Sequence, residues 1–460
     1  MLSKAWLNRA RGARPLKLRV PSRRGARALL VAALLLFAAP AARAQLALHD
    51  CGLSGVRARC GTLQIPENPQ APNGRRLSLN VIVIPRAGAA PAREPLFILK
   101  GGPGQAATAD TEDIIEMFGA VRGEHDLVLL DQRGTGGSNR LDCEVADRSF
   151  LIPKDPKACL TRLSARADLR MYSTARFVED LETARSAMGY EQISLYGGSY
   201  GTRAADYYAR RHPERVRTLV LVAPAPRSMP LLESFEEDGE RALNALVKDC
   251  ALDSACSKAF SHLDRDVQEV RKQLTDSFHV IGIQLLQYSS STARYLPLFV
   301  SEAARGRREP LDQAIAAARE RYVSQLSIGL HLAVSCSEEL THSAAPAGRR
   351  SALRAEYEIA CRDWPRAELP PETGSPAPLP MPALIVVGER DPATSPRWAR
   401  VMADQFREPR VVVVPGEGHV FDGPMLRCID HLAADFLARR NLADGCVTLH
   451  KRPAYPVRTP

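Results

Sequence analysis

The stretch Ile193-Ser194-Leu195-Tyr196-Gly197-Gly198-Ser199-Tyr200-Gly201 joins an apolar run to a glycine-flanked serine, and a helix-compatible segment follows over 202–211. This order predicts a strand, a very tight turn at Ser199 and a helix. The glycines indicate a strained serine backbone at which neighbouring side chains would collide. The turn would expose the hydroxyl near the positive end of the helix dipole. Without that context G-x-S-x-G also arises by chance; within it, the pattern indicates a nucleophilic serine.

The first 44 residues have the organisation of a secretory signal peptide. Basic residues between positions 9 and 27 precede an apolar run over 28–39, and Ala42-Arg43-Ala44 predicts cleavage before Gln45. The apolar run is too short for a membrane span, so we expect no stable membrane anchor after cleavage. An uncleaved anchor is the alternative. The predicted location is the periplasm or the medium.

The leader also accounts for the basic composition. The 460 residues carry 62 Lys and Arg against 52 Asp and Glu, a formal net charge of +10. Residues 1–44 contain ten of the basic residues and none of the acidic ones, which leaves 52 of each in the remainder. A formally neutral mature chain removes the main support for binding to nucleic acid.

All ten cysteines follow the predicted cleavage site. An even number of cysteines in an exported protein indicates disulfides, and pairing of neighbours along the chain is the simplest scheme, although sequence does not prove connectivity. No pair has the clustered Cys or His spacing of a zinc site, so we expect no metal. The neighbouring pairs are Cys51/Cys60, Cys143/Cys159, Cys250/Cys256, Cys336/Cys361 and Cys428/Cys446.

The mature chain is long enough for a large α/β domain with an insertion. Continuous apolar runs predict strands buried on both faces of a parallel sheet, at residues 96–99, 127–130, 193–196, 218–222, 383–387 and 411–414. The run 77–84 alternates instead, which predicts an antiparallel edge hairpin with residues 51–65. Between the strands lie helical patterns, the clearest over 173–188 with Gly189 as its stop. Together they predict a doubly wound, mostly parallel sheet.

The strand–helix alternation breaks after Pro224-Ala225-Pro226. Residues 227–375 are largely helical in pattern and end in a proline-rich linker, which predicts a helical cap inserted into the sheet domain. We therefore expect a signal peptide over 1–44, a core in two parts over 45–226 and 376–446, and a tail over 447–460. An unrelated second domain in place of the cap is the alternative.

Two later loops carry the partners that a nucleophilic serine needs, a base and an acid that orients it. Asp391 lies in Gly388-Glu389-Arg390-Asp391-Pro392, and His419 lies in Pro415-Gly416-Glu417-Gly418-His419, each directly after a predicted strand. The chain order Ser, Asp, His suits a serine hydrolase with this turn. Glu389 is the local competitor for the acid, and the strand-end position favours Asp391.

An oxyanion intermediate needs two backbone N–H donors. The residue after the nucleophile, Tyr200, supplies one. The segment Lys100-Gly101-Gly102-Pro103-Gly104 follows an early predicted strand, and its glycines would let the backbone approach a substrate closely. Gly102 is therefore the predicted second donor, with a simple glycine-proline turn as the alternative.

Several motifs together resemble the prolyl-aminopeptidase and tripeptidyl-aminopeptidase family of α/β-hydrolases. Besides the segments 388–391 and 416–419, they are Gly101-Gly102-Pro103-Gly104, Asp131-Gln132-Arg133-Gly134-Thr135-Gly136-Gly137-Ser138 and Gly197-Gly198-Ser199-Tyr200-Gly201-Thr202. The similarity runs from about residue 60 to residue 446 and is weakest in the cap. The exported, disulfide-bearing tripeptidyl branch is the closer likeness, since prolyl aminopeptidases usually have His where this chain has Lys100. We expect Asp131 and Arg133 to brace the loops.

The resemblance implies removal of residues or short peptides from free peptide N-termini. Such a reaction needs a carboxylate for the α-ammonium; the family takes it from the cap, where Glu338 and Glu339 are the candidates and a solvated acidic pair is the alternative. The sequence thus predicts an exported serine aminopeptidase that acts on peptides through an acyl-enzyme, without metal or cofactor. An ester hydrolase with the same triad and a silent binding protein on the same fold are the rivals.

Overall fold

The computed structural model describes residues 45–53, 55–89, 91–342, 351–370 and 378–457. Within them, nine strands form one sheet in the order β1-β2-β3-β5-β4-β6-β7-β8-β9. β1, β2 and β3 pair antiparallel, as do β3 and β5, and the other neighbours are parallel. The strands are β1 (Gln45–Leu53), β2 (Val56–Pro66), β3 (Arg76–Ile84), β4 (Leu96–Leu99), β5 (Leu127–Leu130), β6 (Ile193–Gly198), β7 (Val216–Val222), β8 (Ala383–Gly388) and β9 (Pro409–Val414).

The central strands are buried on both faces because alternate residues belong to two different cores. In β4, Leu96 and Ile98 pack into one core and Phe97 and Leu99 into the other. For the central strands this confirms the double burial predicted from continuous apolar runs. The same prediction is wrong for the run 411–414, because β9 is the last strand of the sheet and its Val411 and Val413 are 36% and 42% exposed. The runs predicted for β4 and β5 match the observed strands residue for residue. The observed β3, β6, β7, β8 and β9 are each one or two residues longer than predicted.

The N-terminal hairpin differs from the prediction. β3 does pair antiparallel with the segment before it, but that segment folds back on itself as β1 and β2, so β1 and not β3 is the edge strand. The turn between them contains Gly55 at φ +77°, and the Cys51–Cys60 disulfide crosses the pair. Alternation of apolar and polar residues indicates that one face of a strand contacts solvent. It does not show whether another strand pairs alongside, which is what decides whether the strand lies at the edge of the sheet.

Helices connect the strands and cover the sheet. The helix predicted over 173–188 is present, with the Ser173 side chain accepting from the Arg176 N–H at its start and Gly189 at φ +76° after its end. The helices are α1 (Thr111–Met117), α2 (Pro156–Ser164), α3 (Thr174–Ala187), α4 (Tyr200–Arg211), α5 (Leu231–Leu252), α6 (Ser254–Ala259), α7 (Leu263–Gln273), α8 (Ser277–Leu285), α9 (Ser290–Ala293), α10 (Leu296–Ala304), α11 (Glu309–Ser324), α12 (Ile328–His342), α13 (Ala352–Ala360), α14 (Pro396–Ala403), α15 (Gly423–Leu437) and α16 (Gly445–Thr448).

An extra helical region separates β7 from β8. The described residues between these two strands form helices α5 to α13. The helical region is therefore where the sequence pattern placed it. Its predicted limits as a separate cap domain, 227 and 375, stay a prediction.

All five neighbouring cysteine pairs form disulfides, which confirms the simplest pairing scheme. Each bridge closes a short loop, the longest between Cys336 and Cys361 with a sequence separation of 25. Each is expected to stabilise the fold by about 2–4 kcal/mol, chiefly by constraining the unfolded chain. The predicted signal peptide over 1–44 lies outside the described residues. Over the described ranges, no helix has the length and apolar character needed to cross a membrane.

The parallel register brings four loops to one edge of the sheet. Leu99, the last residue of β4, lies beside Gly197, and Gly198 lies beside Val222. At the far side, Gly388 of β8 lies beside Val414 of β9. Because parallel strands end at the same edge, the loops after β4, β6, β8 and β9 converge there.

Candidate active site

Ser199 lies at the sharp turn between β6 and α4, with φ +54° and ψ −120°. Its N–H donates to the Val222 carbonyl at 2.9 Å, which holds this unfavourable conformation against the neighbouring strand. Gly201 shows why the motif needs glycine, because a Cβ there would lie 2.1 Å from the Leu99 carbonyl oxygen. The local sequence therefore produces the strand, tight turn and helix that were expected.

The structure brings Ser199, His419 and Asp391 into one hydrogen-bonded chain. The Oγ of Ser199 lies 3.0 Å from His419 Nε2, and the Asp391 carboxylate oxygens lie 2.9 and 3.0 Å from His419 Nδ1. Burial alone would raise the pKa of Asp391, but the charge and hydrogen bond of His419 and the backbone N–H groups of Thr394 and Ala393 lower it below its usual value. Asp391 thus stays ionised and fixes the imidazole with Nε2 toward the serine.

Glu389, the competing acid, has a different contact. Its Oε2 accepts from the Gly416 N–H at 2.8 Å, which joins the acid loop to the base loop. Of the two carboxylates, Asp391 is the one hydrogen-bonded to the imidazole. The helical region supports this loop, since the Arg241 guanidinium donates to the Asp391 carbonyl at 2.6 Å.

The glycine-rich loop over 101–104 runs beside the serine. A Cβ at Gly101 would lie 3.2 Å from the Cβ of Ser199, and Gly102 has φ +108°. Tyr200 is the first residue of α4, and its hydroxyl lies 2.7 Å from Thr174 Oγ1. Gly102 and Tyr200 line the same cavity as Ser199. The structure therefore brings both predicted oxyanion donors to the serine.

Asp131 and Arg133 have the contacts of architectural residues. The Asp131 carboxylate accepts from the N–H and hydroxyl of Thr108, both at 2.8 Å, and from the Gly137 N–H at 2.9 Å. Arg133 is 1% exposed and donates through two nitrogens to the Asp180 carboxylate at 2.6 and 2.7 Å. These contacts tie the loop after β5 to the loop after β4 and to α3, which agrees with the bracing role expected from the sequence.

This geometry coincides with a match to a known family. Residues 94–421 match the model of the alpha/beta hydrolase fold. The chain belongs to the α/β-hydrolase family. The matched span contains the Ser, Asp and His loops in the order typical of the fold, so this α/β-hydrolase is a serine hydrolase.

The curated relatives are distant. Serine protease Hip1 of Mycobacterium tuberculosis (strain CDC 1551 / Oshkosh) is 26% identical over 224 residues, 43% of this chain and 42% of that protein, so the match spans less than half of this relative. The tripeptidyl aminopeptidase of Streptomyces lividans is 24% identical over 481 residues, 90% of this chain and 89% of that protein. Among solved structures, proline iminopeptidase from Mycobacterium smegmatis covers 82% of this chain and 98% of its own, with 16% identity and a TM-score of 0.43.

Two cavities of this α/β-hydrolase meet at Ser199. The apolar cavity, of about 270 Å³, is lined by His419 and by side chains such as Phe118, Tyr196 and Leu426. The Glu339 cavity, of about 80 Å³, is lined by Glu339 and Arg203. Gly102, Tyr288 and Tyr322 line both cavities.

The two predicted cap glutamates, both on α12, have different surroundings. Glu339 forms a buried ion pair with Arg203 through Oε1 and lines the cavity that contains Ser199. Glu338 accepts from the N–H and hydroxyl of Thr174, both at 2.8 Å, and lines an adjacent cavity of about 280 Å³. Burial raises the pKa of Glu338, against these two hydrogen bonds and the positive charge of Arg203. Glu339 is therefore the carboxylate placed in the serine's own cavity.

His331 on α12 is a buried residue that the sequence did not single out. Its Nδ1 lies 2.7 Å from the Pro103 carbonyl oxygen and its Nε2 lies 2.6 Å from the Tyr357 hydroxyl. Burial lowers the pKa of His331 to about 4, against the hydrogen bond to Pro103, so the ring is neutral near pH 7. Since a carbonyl only accepts, Nδ1 donates to Pro103 and Nε2 accepts from Tyr357. His331 thus holds the glycine-rich loop to the helical region.

No sequence signal marks His331, because its partners come from two distant segments. The start of the same helical segment also contacts the loop, through the Ser327 N–H and the Gly104 carbonyl at 2.9 Å. Among the described residues, no group of three or more His, Cys, Asp or Glu side chains is placed to hold a metal ion.

Proposed function

We propose that this chain is an exported serine aminopeptidase, which hydrolyses amide bonds near the free N-terminus of peptides through an acyl-enzyme. The hydrogen-bonded chain of Ser199, His419 and Asp391 supports the hydrolytic chemistry. The long, although distant, match to a protein named tripeptidyl aminopeptidase supports the reaction class. Peptides are the proposed partners.

In the proposed reaction, His419 Nε2 accepts the Ser199 hydroxyl proton as Oγ attacks the substrate carbonyl carbon. The N–H groups of Gly102 and Tyr200 donate to the oxyanion that forms. The intermediate collapses as His419 donates its proton to the leaving amine. Water, deprotonated by the same imidazole, then releases the acyl group and restores Ser199. Asp391 keeps the imidazole oriented and stabilises its charged form throughout.

The observation that carries the aminopeptidase assignment is the carboxylate of Glu339 in the wall of the serine's cavity. A carboxylate has acceptor capacity at both oxygens, and Arg203 contacts Oε1. Glu339 can therefore accept from an α-ammonium while it remains paired with Arg203. A substrate ammonium that leaves water needs such a partner, whereas an apolar acyl ester gains nothing from a buried charge.

The test compares Glu339→Gln with Glu338→Gln on matched peptide anilides, free and N-acetylated, and on a short-chain ester. We expect wild type to cleave free anilides and to lose most of this activity when the substrate is acetylated. Glu339→Gln should lower kcat/KM on free anilides by about a hundredfold, the loss expected when a buried charge pair is broken. Its ester turnover should stay near the wild-type value. Glu338→Gln should have the smaller effect, because Glu338 lines the adjacent cavity.

Ester turnover with both anilides untouched would contradict the aminopeptidase and leave an ester hydrolase with the same triad. Glu339→Gln also leaves the buried charge of Arg203 without its carboxylate partner, so thermal unfolding is measured in parallel. Equal losses on ester and anilide with a lower Tm would mark Glu339 as structural. The double variant Arg203→Met/Glu339→Gln removes the unpaired Arg203 charge, and so distinguishes a loss of substrate binding from a loss of fold stability.

His331 yields a separate prediction for the proposed oxyanion loop. His331→Phe removes the donor to Pro103, so we expect the loop to shift and kcat to fall about tenfold to hundredfold with KM little changed. His331→Asn, which keeps an N–H near the Nδ1 position, should restore much of kcat. A Phe variant that melts earlier but keeps the wild-type kcat would show that His331 only stabilises the fold.

Export to the periplasm or the medium is the remaining part of the proposal. The predicted leader over 1–44 supports it, together with the five disulfides, since disulfides persist in oxidising compartments. Fractionation of cells that produce the full chain, with N-terminal sequencing of the product, tests it. Cleavage before Gln45 is the expected result.

A further inference from the structure

The proposed reaction does not assign any part of the substrate to the apolar cavity. Phe118 and Tyr196 line this cavity, and their rings pack edge to face with centroids 4.9 Å apart. Leu426 is part-buried, and Val420 is 49% exposed. The cavity therefore extends from Ser199, over an apolar wall, to a residue at the protein surface.

Lys100, Asp430 and Gln105, three of the polar side chains in this lining, are engaged with protein partners. Lys100 forms an ion pair with Asp110 at 3.0 Å. The Asp430 carboxylate accepts from two backbone N–H groups, at 2.6 and 3.1 Å. Gln105 donates to the Gln325 side chain at 2.9 Å. These three side chains are thus paired within the protein, and the rest of the lining is chiefly apolar or aromatic.

The position of His419 indicates which part of the substrate faces the apolar cavity. His419 lines the apolar cavity, whereas Glu339 lines the other cavity at Ser199. In an acyl-transfer reaction the base donates its proton to the leaving amine, so the leaving group must lie on the side of the imidazole. The acyl side then extends toward Glu339.

We propose that the apolar cavity is a specificity subsite for a large apolar side chain, such as Leu, Met or Phe, on the residue that follows the scissile bond. This inference rests on the proposed aminopeptidase function, because it assigns the N-terminal part of the peptide to the Glu339 cavity. The size is suitable, since an apolar cavity of about 150 Å³ already accommodates benzene and this cavity offers about 270 Å³.

The first experiment uses free-N-terminal peptides that differ only in the residue after the bond that is cut, with the cleavage position read by mass spectrometry. Gly, Ala, Leu and Phe are compared at that position. We expect kcat/KM for Leu or Phe to exceed that for Gly by roughly tenfold or more, because each buried methylene contributes a several-fold preference. Equal rates across the set would overturn the proposal.

A variant series then assigns the preference to this cavity. Leu426→Trp fills part of it and should lower kcat/KM for the Phe peptide about tenfold or more, with little effect on the Gly peptide. Leu252→Trp makes the same change at a residue that is 85% exposed and should leave the preference unchanged. If Leu426→Trp fails to fold, Leu426→Ala is used, which should reduce the preference for Phe by loosening its contacts. An unchanged preference in a folded Leu426 variant would contradict the assignment.

The outcomes separate this subsite from the proposed function. If no free-N-terminal peptide is cut and the ester is turned over, the aminopeptidase proposal fails and takes the subsite with it. If free peptides are cut at rates that ignore the residue after the bond, only the subsite fails. Retention of the preference in Leu252→Trp and its loss in the Leu426 variants would support both.

Discussion

Ser199→Ala is expected to abolish turnover of peptides and esters alike, with a loss in kcat of about a millionfold, the scale set when the nucleophile of a Ser-His-Asp unit is removed. The physical reason is that the variant lacks the oxygen 3.0 Å from His419 Nε2 that forms the acyl bond. The fold should be retained, because the backbone bond from residue 199 to the Val222 carbonyl is unaffected. Kinetics on anilide and ester substrates provide the measurement.

A fluorophosphonate probe gives an independent readout of the same prediction. Wild type should gain the mass of one phosphonyl group at Ser199, and Ser199→Ala should gain none. Thr202→Ser serves as a control, since it retains a hydroxyl in the same turn and leaves Ser199 in place. Labelling or turnover that persists in Ser199→Ala would show that another nucleophile performs the reaction and that the proposed site is wrong.

Asp391→Asn is expected to lower kcat by about ten-thousandfold, the loss typical when the acid of such a triad becomes an amide. Every contact of the Asp391 carboxylate is with a donor. It accepts from the N–H groups of Ala393 and Thr394 at 2.8 and 2.7 Å, from the Thr394 hydroxyl at 2.9 Å and from His419. An amide NH₂ would face at least one of these donors, and the imidazole would lose its orientation.

The matched control for this variant is Glu389→Gln, two residues earlier in the same loop. Glu389 contacts the Gly416 backbone and not the imidazole, so its amide should cost a few-fold in kcat at most. Equal losses in the two variants would contradict the assignment of Asp391 as the acid.

The effect of Asp391→Asn on the stability of the fold should depend on pH. Folding lowers the pKa of Asp391, so ionisation of this carboxyl stabilises the fold above its unfolded pKa of about 3.9. That contribution is lost as the pH falls through the lower, folded value. The difference in Tm between wild type and Asp391→Asn should therefore shrink as the pH falls below about 4, which thermal melts across pH can measure.

The sheet was predictable because its strands carry their own signal. A strand buried on both faces must be apolar throughout, so β4 and β5 were located residue for residue. The hairpin of β1 and β2 was not, because its residues alternate irregularly and its pairing depends on a turn around Gly55. The neighbouring Cys51 and Cys60 were a usable signal, since a bridge over nine residues suits two strands that fold back on each other.

The serine, acid and base were located for a related reason. Each lies in the loop after a strand of the parallel sheet, and parallel strands end at one edge of the sheet, so strand position in sequence fixes position in space. The helical region has no such rule. Glu338 and Glu339 are adjacent in sequence and alike in type, yet Glu338 contacts Thr174 and Glu339 contacts Arg203 in the cavity of Ser199.

By itself, therefore, the sequence determined the fold class, the order of the central strands along the chain and the residues at the strand ends, and it indicated the disulfide pairs without proving them. These follow from local periodicity and from the edge that parallel strands share. Only the tertiary structure decided which cap glutamate lies beside the serine, that His331 holds the glycine-rich loop, and that an apolar cavity opens on the side of His419. Those features depend on contacts between segments more than a hundred residues apart, whose packing no local pattern records.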